Sequence, residues 1–366
     1  MRNLKVLICS PAPPPRGGIA TWTEELQSAS KNIENLEIYL VDTSIARPPG
    51  TYSLQRKVID GLKTITPQIR KLIHGIRKTN PDIIHICSSG GMAHLRDILF
   101  ILICIFYRKK TALHLHYGCA DEGYQWVPGG RLFLKIASSL SSACLILDER
   151  IKNIIKNKKT HLVYNGMTPP SPHKKINKRK EVVFVGWIIE QKGIFDLVKS
   201  WQGIENKNNW SLKIIGPANE YSKKQLDAMI NKDTSINYLG ELSREKVIEE
   251  VETSAAFIIP SLTEGFPYAI LEAMSLKCCI ISTDVGGISQ IYNHNEPPGW
   301  IIKNKSMLRP AIEKLISCKE QDVALQGENA YRILTDRYTS TKMAQNLFTI
   351  WSEIKQSKPH DHKSKH

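Results

Sequence analysis

The chain has 366 residues, a formal net charge of +15, 42% hydrophobic residues and 23% charged residues. That length exceeds what one hydrophobic core ordinarily serves and predicts two domains, while the apolar content and the lack of any internal repeat exclude a disordered chain and a solenoid. The longest apolar run, Ile98 to Tyr107, is about half of what a bilayer crossing needs, and the apolar stretch Leu4–Cys9 is too short for a secretory leader. Eight cysteines lie scattered without a Cys-x-x-Cys pair, which argues against zinc and redox motifs and for thiols in a reducing compartment. The expected location is cytoplasmic.

Short β-branched runs at Leu4–Cys9, Ile38–Val41, Ile83–Ile86, Ala112–His116 and Cys144–Leu147 alternate with helical periods at Thr21–Ser28, 54–78, Leu95–Tyr107 and Arg131–Leu140. Apolar strands separated by helices predict a parallel sheet covered on both faces. In the second of these helices the apolar positions 62, 65, 69, 72, 73 and 76 form one stripe, with Lys63, Arg70 and Lys71 beside it. Such a helix packs on a sheet and shows water a basic face; an anionic membrane surface is a candidate partner for that face. Nucleic acid is not, because no helix-turn-helix, zinc finger or aromatic-basic motif accompanies the charge.

Open α/β sheets bind ligands beyond the carboxyl ends of their strands, so the loops after strands hold the candidate site residues. After the first strand, Gly17 and Gly18 allow close backbone approach and lead into a helix whose free N–H groups suit an anion. No Gly-x-Gly-x-x-Gly fingerprint occurs, which removes the main support for a nicotinamide enzyme. His114 and His116 alternate on one strand and point to one face, and His116 ends it.

The strand–helix pattern restarts near Glu181, with strands at Val182–Val185, Leu212–Ile215, Ile236–Leu239, Ala256–Ile259 and Cys279–Ser282. The predicted division is an N-terminal domain over 1–167, a proline-rich and basic linker over 168–180, a C-terminal domain over 181–340, a helix over 341–355 that could return to the N-terminal domain, and a disordered polar tail over 356–366. Lys192 follows the first strand of the second set at the start of a helix, placed to neutralise a phosphate. Glu264 follows the strand Ala256–Ile259, and Pro267 suits the first turn of a helix from Tyr268. The N–H groups near Tyr268, Ala269 and Ile270 then face the cleft with the positive end of the helix dipole, flanked by the carboxylates of Glu264 and Glu272. The pair Gly286-Gly287 follows the strand Cys279–Ser282 and could approach the same ligand.

These stretches resemble family 4 retaining glycosyltransferases of the bacterial cell-surface polysaccharide type, which adopt the GT-B fold. The resemblance is carried by Phe184-Val-Gly186 with Gln191-Lys-Gly193, by Pro260 to Met274 with its two glutamates, and by Ser282 to Ile288. It is weaker in the first half, through Gly17-Gly18-Ile19, Pro81 to His85, His116 and Asn165-Gly166-Met167. It implies two Rossmann-like domains facing a central cleft, with a nucleoside-diphosphate sugar between them. By the same resemblance, Glu264 contacts the transferred sugar, Glu272 the ribose, Lys192 the diphosphate, and His116 the reacting centre. Gly265, Phe266, Tyr268, Ala269 and Ile270 line the donor, and the Gly17-Gly18 loop closes over it. No metal or other cofactor is expected, since cationic side chains and the helix dipole neutralise the phosphates. The implied acceptor is a lipid-linked saccharide, with the protein peripheral on a membrane. Three departures stand out: Trp187 in place of a usual arginine, Lys277-Cys-Cys279 in place of a Gly-x-Pro turn, and Ser289-Gln290 in place of a Pro-Glu pair. They leave room for a silent scaffold subunit; a nucleotide-sugar epimerase of similar architecture is opposed by Glu264 and Glu272.

Overall fold

The computed structural model describes residues 3–13, 17–44, 54–91, 93–118, 130–155, 157, 159–170 and 177–357, with side chains in the helix that begins at 54 described from residue 64. The first half runs β1 (Leu4–Ser10), α1 (Gly18–Ser30), β2 (Leu36–Asp42), α2 (Leu54–Thr79), β3 (Ile83–Ser88), α3 (Ala93–Phe106), β4 (Lys110–Leu115), α4 (Gly130–Leu140), β5 (Ala143–Ile146) and β6 (Thr160–Leu162). The second runs β7 (Arg179–Val185), α5 (Ile194–Gln202), β8 (Ser211–Ile215), α6 (Glu220–Ile230), β9 (Ile236–Tyr238), α7 (Arg244–Thr253), β10 (Ser254–Ile259), α8 (Tyr268–Ser275), β11 (Cys279–Thr283), α9 (Ser289–Tyr292) and β12 (Gly299–Ile302). Three helices complete the described residues: α10 (Leu308–Ser317), α11 (Glu320–Arg337) and α12 (Ser340–Gln356).

Each half contains one six-stranded sheet, ordered β2-β1-β3-β4-β5-β6 and β12-β11-β10-β7-β8-β9, with parallel pairing throughout. The edge strands β6 and β12 are additions to the sequence expectation. β7 starts at Arg179, inside the stretch read as linker, because Arg179 pairs with Ser254. Linker residues 171–176 and tail residues 358–366 lie outside the described residues.

The central strands are apolar because both faces are covered. Leu72, Phe100, Cys104 and Leu134, from α2, α3 and α4, fill one face of the first sheet. Trp22 and Leu26 of α1 and Leu347 and Trp351 of α12 fill the other, in a core that continues into the second half through Ile270, Met274 and Ile280. Lys110 holds the carboxyl end of α12, donating to the carbonyls of Ile354 and Lys355 at 2.9 Å each, where a cation meets the negative end of the helix. The seven described cysteines are free, and six of them are buried. Among the described residues no helix is long and apolar enough to cross a membrane.

Candidate active site in the interdomain cleft

The second sheet changes direction between β7 and β10, where the chain leaves toward opposite edges and a crevice opens beyond the strand ends. The loop after β7 holds a short 3-10 turn, Glu190–Lys192, closed by Gly193 at φ 69°. A Cβ on Gly193 would stand 2.0 Å from the carbonyl oxygen of Pro260, so only glycine lets this turn lie against the loop after β10. Leu262 N–H donates to the Gln191 carbonyl at 2.9 Å and fastens the two loops. Lys192 Nζ thereby reaches Glu264 Oε1 at 2.6 Å, and Ser261 Oγ donates to the same oxygen at 2.8 Å.

Pro267 caps α8 in extended conformation, and the helix presents the N–H groups of Tyr268 and Ala269, which have no acceptor within their own helix. Ile270 departs from expectation, because its N–H donates to the Pro267 carbonyl at 3.2 Å and is not free for a ligand. Two further residues read as donor contacts turn their side chains elsewhere. The Phe266 ring packs 5.0 Å from both Tyr164 and Tyr338, and Tyr268 Oη donates to the Gly166 carbonyl at 3.2 Å. Both rings are used here to join the halves, and the Phe266 carbonyl accepts from Asn165 Nδ2 at 2.6 Å. Ile270 is fully buried for the same reason.

Glu272 lies one turn into α8. Burial raises its carboxyl above the usual range, Arg244 opposes that shift, and the Glu25 carboxylate adds to it. Arg244 lies 3.9 Å from Glu272 and 3.5 Å from Glu24 of α1, so one guanidinium joins both halves. Trp187 is substantially exposed after β7. Lys277 ends α8 at φ 57°, and its Nζ pairs with Glu328 at 2.8 Å.

The first half meets this site through the loop after β4. A Cβ on Gly118 would fall 1.8 Å from the Glu264 carbonyl oxygen, and one on Gly265 would fall 3.1 Å from the His116 carbonyl. Gly286, at φ 60°, packs its backbone against the same Glu264–Gly265 turn, and Gly287 N–H donates to the Gly265 carbonyl at 2.7 Å. His116, Gly265 and the backbone of Glu264 are therefore brought together. Gly17 and Gly18 stand apart at the start of α1, where an added Cβ on either meets nothing within 4 Å. Residues 14–16 of that loop lie outside the described residues.

Behind His116 stands a chain of buried rings. Trp351 Nε1–H donates to His85 Nδ1 at 3.1 Å, and His85 Nε2 meets His114 Nδ1 at 3.2 Å. Indole nitrogen only donates, so His85 must carry its proton on Nε2 and pass a hydrogen bond to His114, whose own proton is then on Nε2. The His116 ring lies 3.9 Å from that of His114, and Trp22 packs against all three histidines. Burial holds His85 and His116 down to about 3, so both are neutral. His85, Cys87 and His114 place donor atoms within 4.8 Å of one another, but the bonds just described occupy both His85 nitrogens and one of His114.

A cavity of about 290 Å³ opens between the halves, lined by Asp148, Glu149, Arg150, Tyr164, Asp284 and Gln290 among others. Arg150 donates to Asp148 at 3.0 Å and to the Gly286 carbonyl at 3.1 Å. Neither Arg150 nor Arg244 carries a motif. Arg150 could have been found by position, since it lies in the loop after β5, whereas Arg244 begins a helix far from the glutamates in sequence.

The architecture of two parallel sheets facing a cleft is GT-B, as in sucrose-phosphate synthase of Thermosynechococcus elongatus (TM-score 0.74, 15% identity, 96% of this chain and 99% of that one). Anabaena HepE in complex with UDP-glucose is similar as well (TM-score 0.69, 15% identity, 96% and 100%). Residues 170–332 match the family described as "Glycosyl transferases group 1". Among sequence relatives, the glycosyltransferase MJ1178 of Methanocaldococcus jannaschii is 26% identical over 62% of this chain and 63% of its own length. The capsular polysaccharide biosynthesis glycosyltransferase CapM of Staphylococcus aureus is 26% identical over 79% and 92%. The N,N'-diacetylbacillosaminyl-diphospho-undecaprenol alpha-1,3-N-acetylgalactosaminyltransferase of Campylobacter jejuni is 23% identical over 49% and 46%.

Proposed function

We propose that the protein is a family 4, retaining glycosyltransferase that moves a sugar from a nucleoside diphosphate to a hydroxyl of a lipid-linked saccharide. The observation that carries this reading is the Lys192–Glu264 pair at 2.6 Å, set beside the open start of α8 and beneath the His116 loop. Lys192 and the N–H groups of Tyr268 and Ala269 stabilise charge on the leaving diphosphate, which is greatest in the transition state. Glu264, released from Lys192 by the arriving phosphate, accepts hydrogen bonds from the sugar hydroxyls, and Glu272 accepts those of the ribose. Neutral His116 offers an uncharged imidazole at the reacting face. The leaving phosphate takes the acceptor's proton in a front-face attack, so a second carboxylate is not required and the cationic groups serve in place of a metal. Support for the acceptor comes from the Campylobacter relative, whose name specifies an undecaprenol-linked substrate.

A thermal-shift panel with UDP, GDP, ADP and CMP tests the reading. Ligand at a hundredfold excess over its Kd stabilises the fold by about 2.7 kcal/mol. A shift with one nucleotide, lost in Glu272→Ala, is the expected result. Absence of any shift in folded protein, together with no donor hydrolysis, would leave a silent scaffold instead.

A further inference from the structure

We infer that the outer face of α3 and α4 is a lipid-docking surface, by which the protein sits on an anionic membrane. In α3 the residues Leu95, Leu99, Leu102 and Phe106 are spaced so that they share one face, and all four are exposed, Phe106 by 82%. α4 packs beside α3 and adds exposed Leu132 and Ile136. The inward faces of the same helices put Phe100, Ile101, Cys104 and Leu134 in the core, and the polar His94, Asp97 and Ser138 are buried there and not on the outer face. A contiguous set of large apolar side chains left exposed on one face belongs in contact with something apolar.

Charge decides between a membrane and a second copy of the chain. Exposed Arg77, Arg108, Arg131 and Lys135 rim the patch, and Arg77 lies over the Tyr107 ring at 5.8 Å. From Ala93 to Lys110 and from Gly130 to Leu140 the only carboxylate is Asp97, which is buried against Arg96. An isologous dimer through this face would set one cationic rim against another, whereas anionic lipid complements both rim and centre. The patch is also placed to serve the cleft. Helices of a parallel α/β sheet run back against their strands, so the starts of α3 and α4, with Leu95 and Leu132, lie on the strand-end side where the cleft opens. The proposal rests on the lipid-linked acceptor reading for its purpose but not for its assay. It also moves the membrane contact away from α2, where Lys71 turns back to the Asp42 carbonyl at 3.3 Å.

The test is sedimentation of the full chain with phosphatidylcholine vesicles, with and without phosphatidylglycerol, in the absence of nucleotide and sugar. Wild type should bind the anionic vesicles and release as salt rises. Leu99→Glu/Leu102→Glu/Phe106→Glu should bind at least about tenfold more weakly at an unchanged Tm, and Phe106→Ser alone should show part of the loss. Undiminished binding by the triple variant would overturn the proposal. So would a wild-type dimer that the triple variant converts to monomer, since the patch would then belong to a second copy. A protein that binds vesicles through this face and transfers sugar, but not to a lipid-linked saccharide, would sink the acceptor reading alone.

Discussion

Lys192 Nζ meets Glu264 Oε1 at 2.6 Å because Gly193 lets two loops lie closer than any side chain would allow. The ion pair is partly exposed and, as such pairs go, contributes under about 1 kcal/mol to stability. Its removal should therefore register in turnover and not in folding. Lys192→Met is expected to lower kcat/KM for the donor by about 10²–10³-fold, with Tm essentially unchanged, as loss of one preorganised charge donor typically does. Steady-state kinetics alongside thermal melts checks this; a matching fall in Tm would make the pair structural.

The contact between Gly118 and the Glu264 carbonyl ties the His116 loop to the turn before α8. A Cβ at Gly118 would stand 1.8 Å from that oxygen, closer than any atoms can rest. Gly118→Ala must push the His116 loop away from Glu264. Since a misplacement of about 1 Å can cost 10²-fold in rate, transfer should fall by at least about tenfold while nucleotide binding to the C-terminal half persists. Isothermal titration with the nucleotide, run beside a transfer assay, separates the two; equal losses of both would contradict it.

Arg244 is the only described cation placed against Glu272, and it restrains a carboxyl that burial pushes up. Arg244→Ala removes the restraint, so Glu272 should protonate at higher pH than in the wild type. Protonation removes one of the acceptors a ribose would use, and the variant's KM for donor should rise more steeply as pH falls. Donor KM measured across the range from neutral to mildly acidic pH tests this. Parallel curves for variant and wild type would remove Arg244 from the donor site.

What could be read in the sequence was what is local. Glu264, Pro267 and Glu272 lie within one loop–helix unit, where spacing and capping chemistry fix their relation, and the structure builds that unit around Lys192. Sequence gave no warning that the Phe266 and Tyr268 rings would turn to Tyr164, Tyr338 and Gly166, because those partners lie in other segments. The Arg244 bridge and the Trp351–His85 bond are likewise tertiary, the latter joining residues 266 apart.

The Trp351–His85 bond fixes a proton at a distance. With Trp351 donating to Nδ1, His85 is held as the Nε2–H tautomer, and that proton serves His114. Trp351→Phe keeps much of the packing but frees Nδ1, so His85 can adopt either tautomer. Two-dimensional ¹H–¹⁵N spectra of the imidazoles should show one His85 tautomer in wild type and a mixture in the variant. Loss of a buried bond of this kind should also lower stability by about 1–3 kcal/mol. A single unchanged tautomer in the variant would mean that packing, not the indole, sets it.

These same histidines should make the fold acid-sensitive. Burial holds His85 and His116 at about 3, against an ordinary value near 6.5, and His114 is lowered as well. Each therefore takes up a proton more readily in the unfolded chain than in the folded one. Their contribution to stability is complete above about pH 6.5 and is lost progressively as pH falls toward about 3. Thermal or urea unfolding between pH 7.5 and 4.5 should show stability falling with a slope that exceeds one proton per molecule. His114→Asn should be less stable at neutral pH but lose less on acidification, because one fewer buried imidazole must be protonated. A variant whose stability falls with pH as steeply as wild type would show that other groups, such as buried carboxylates, govern the acid limb.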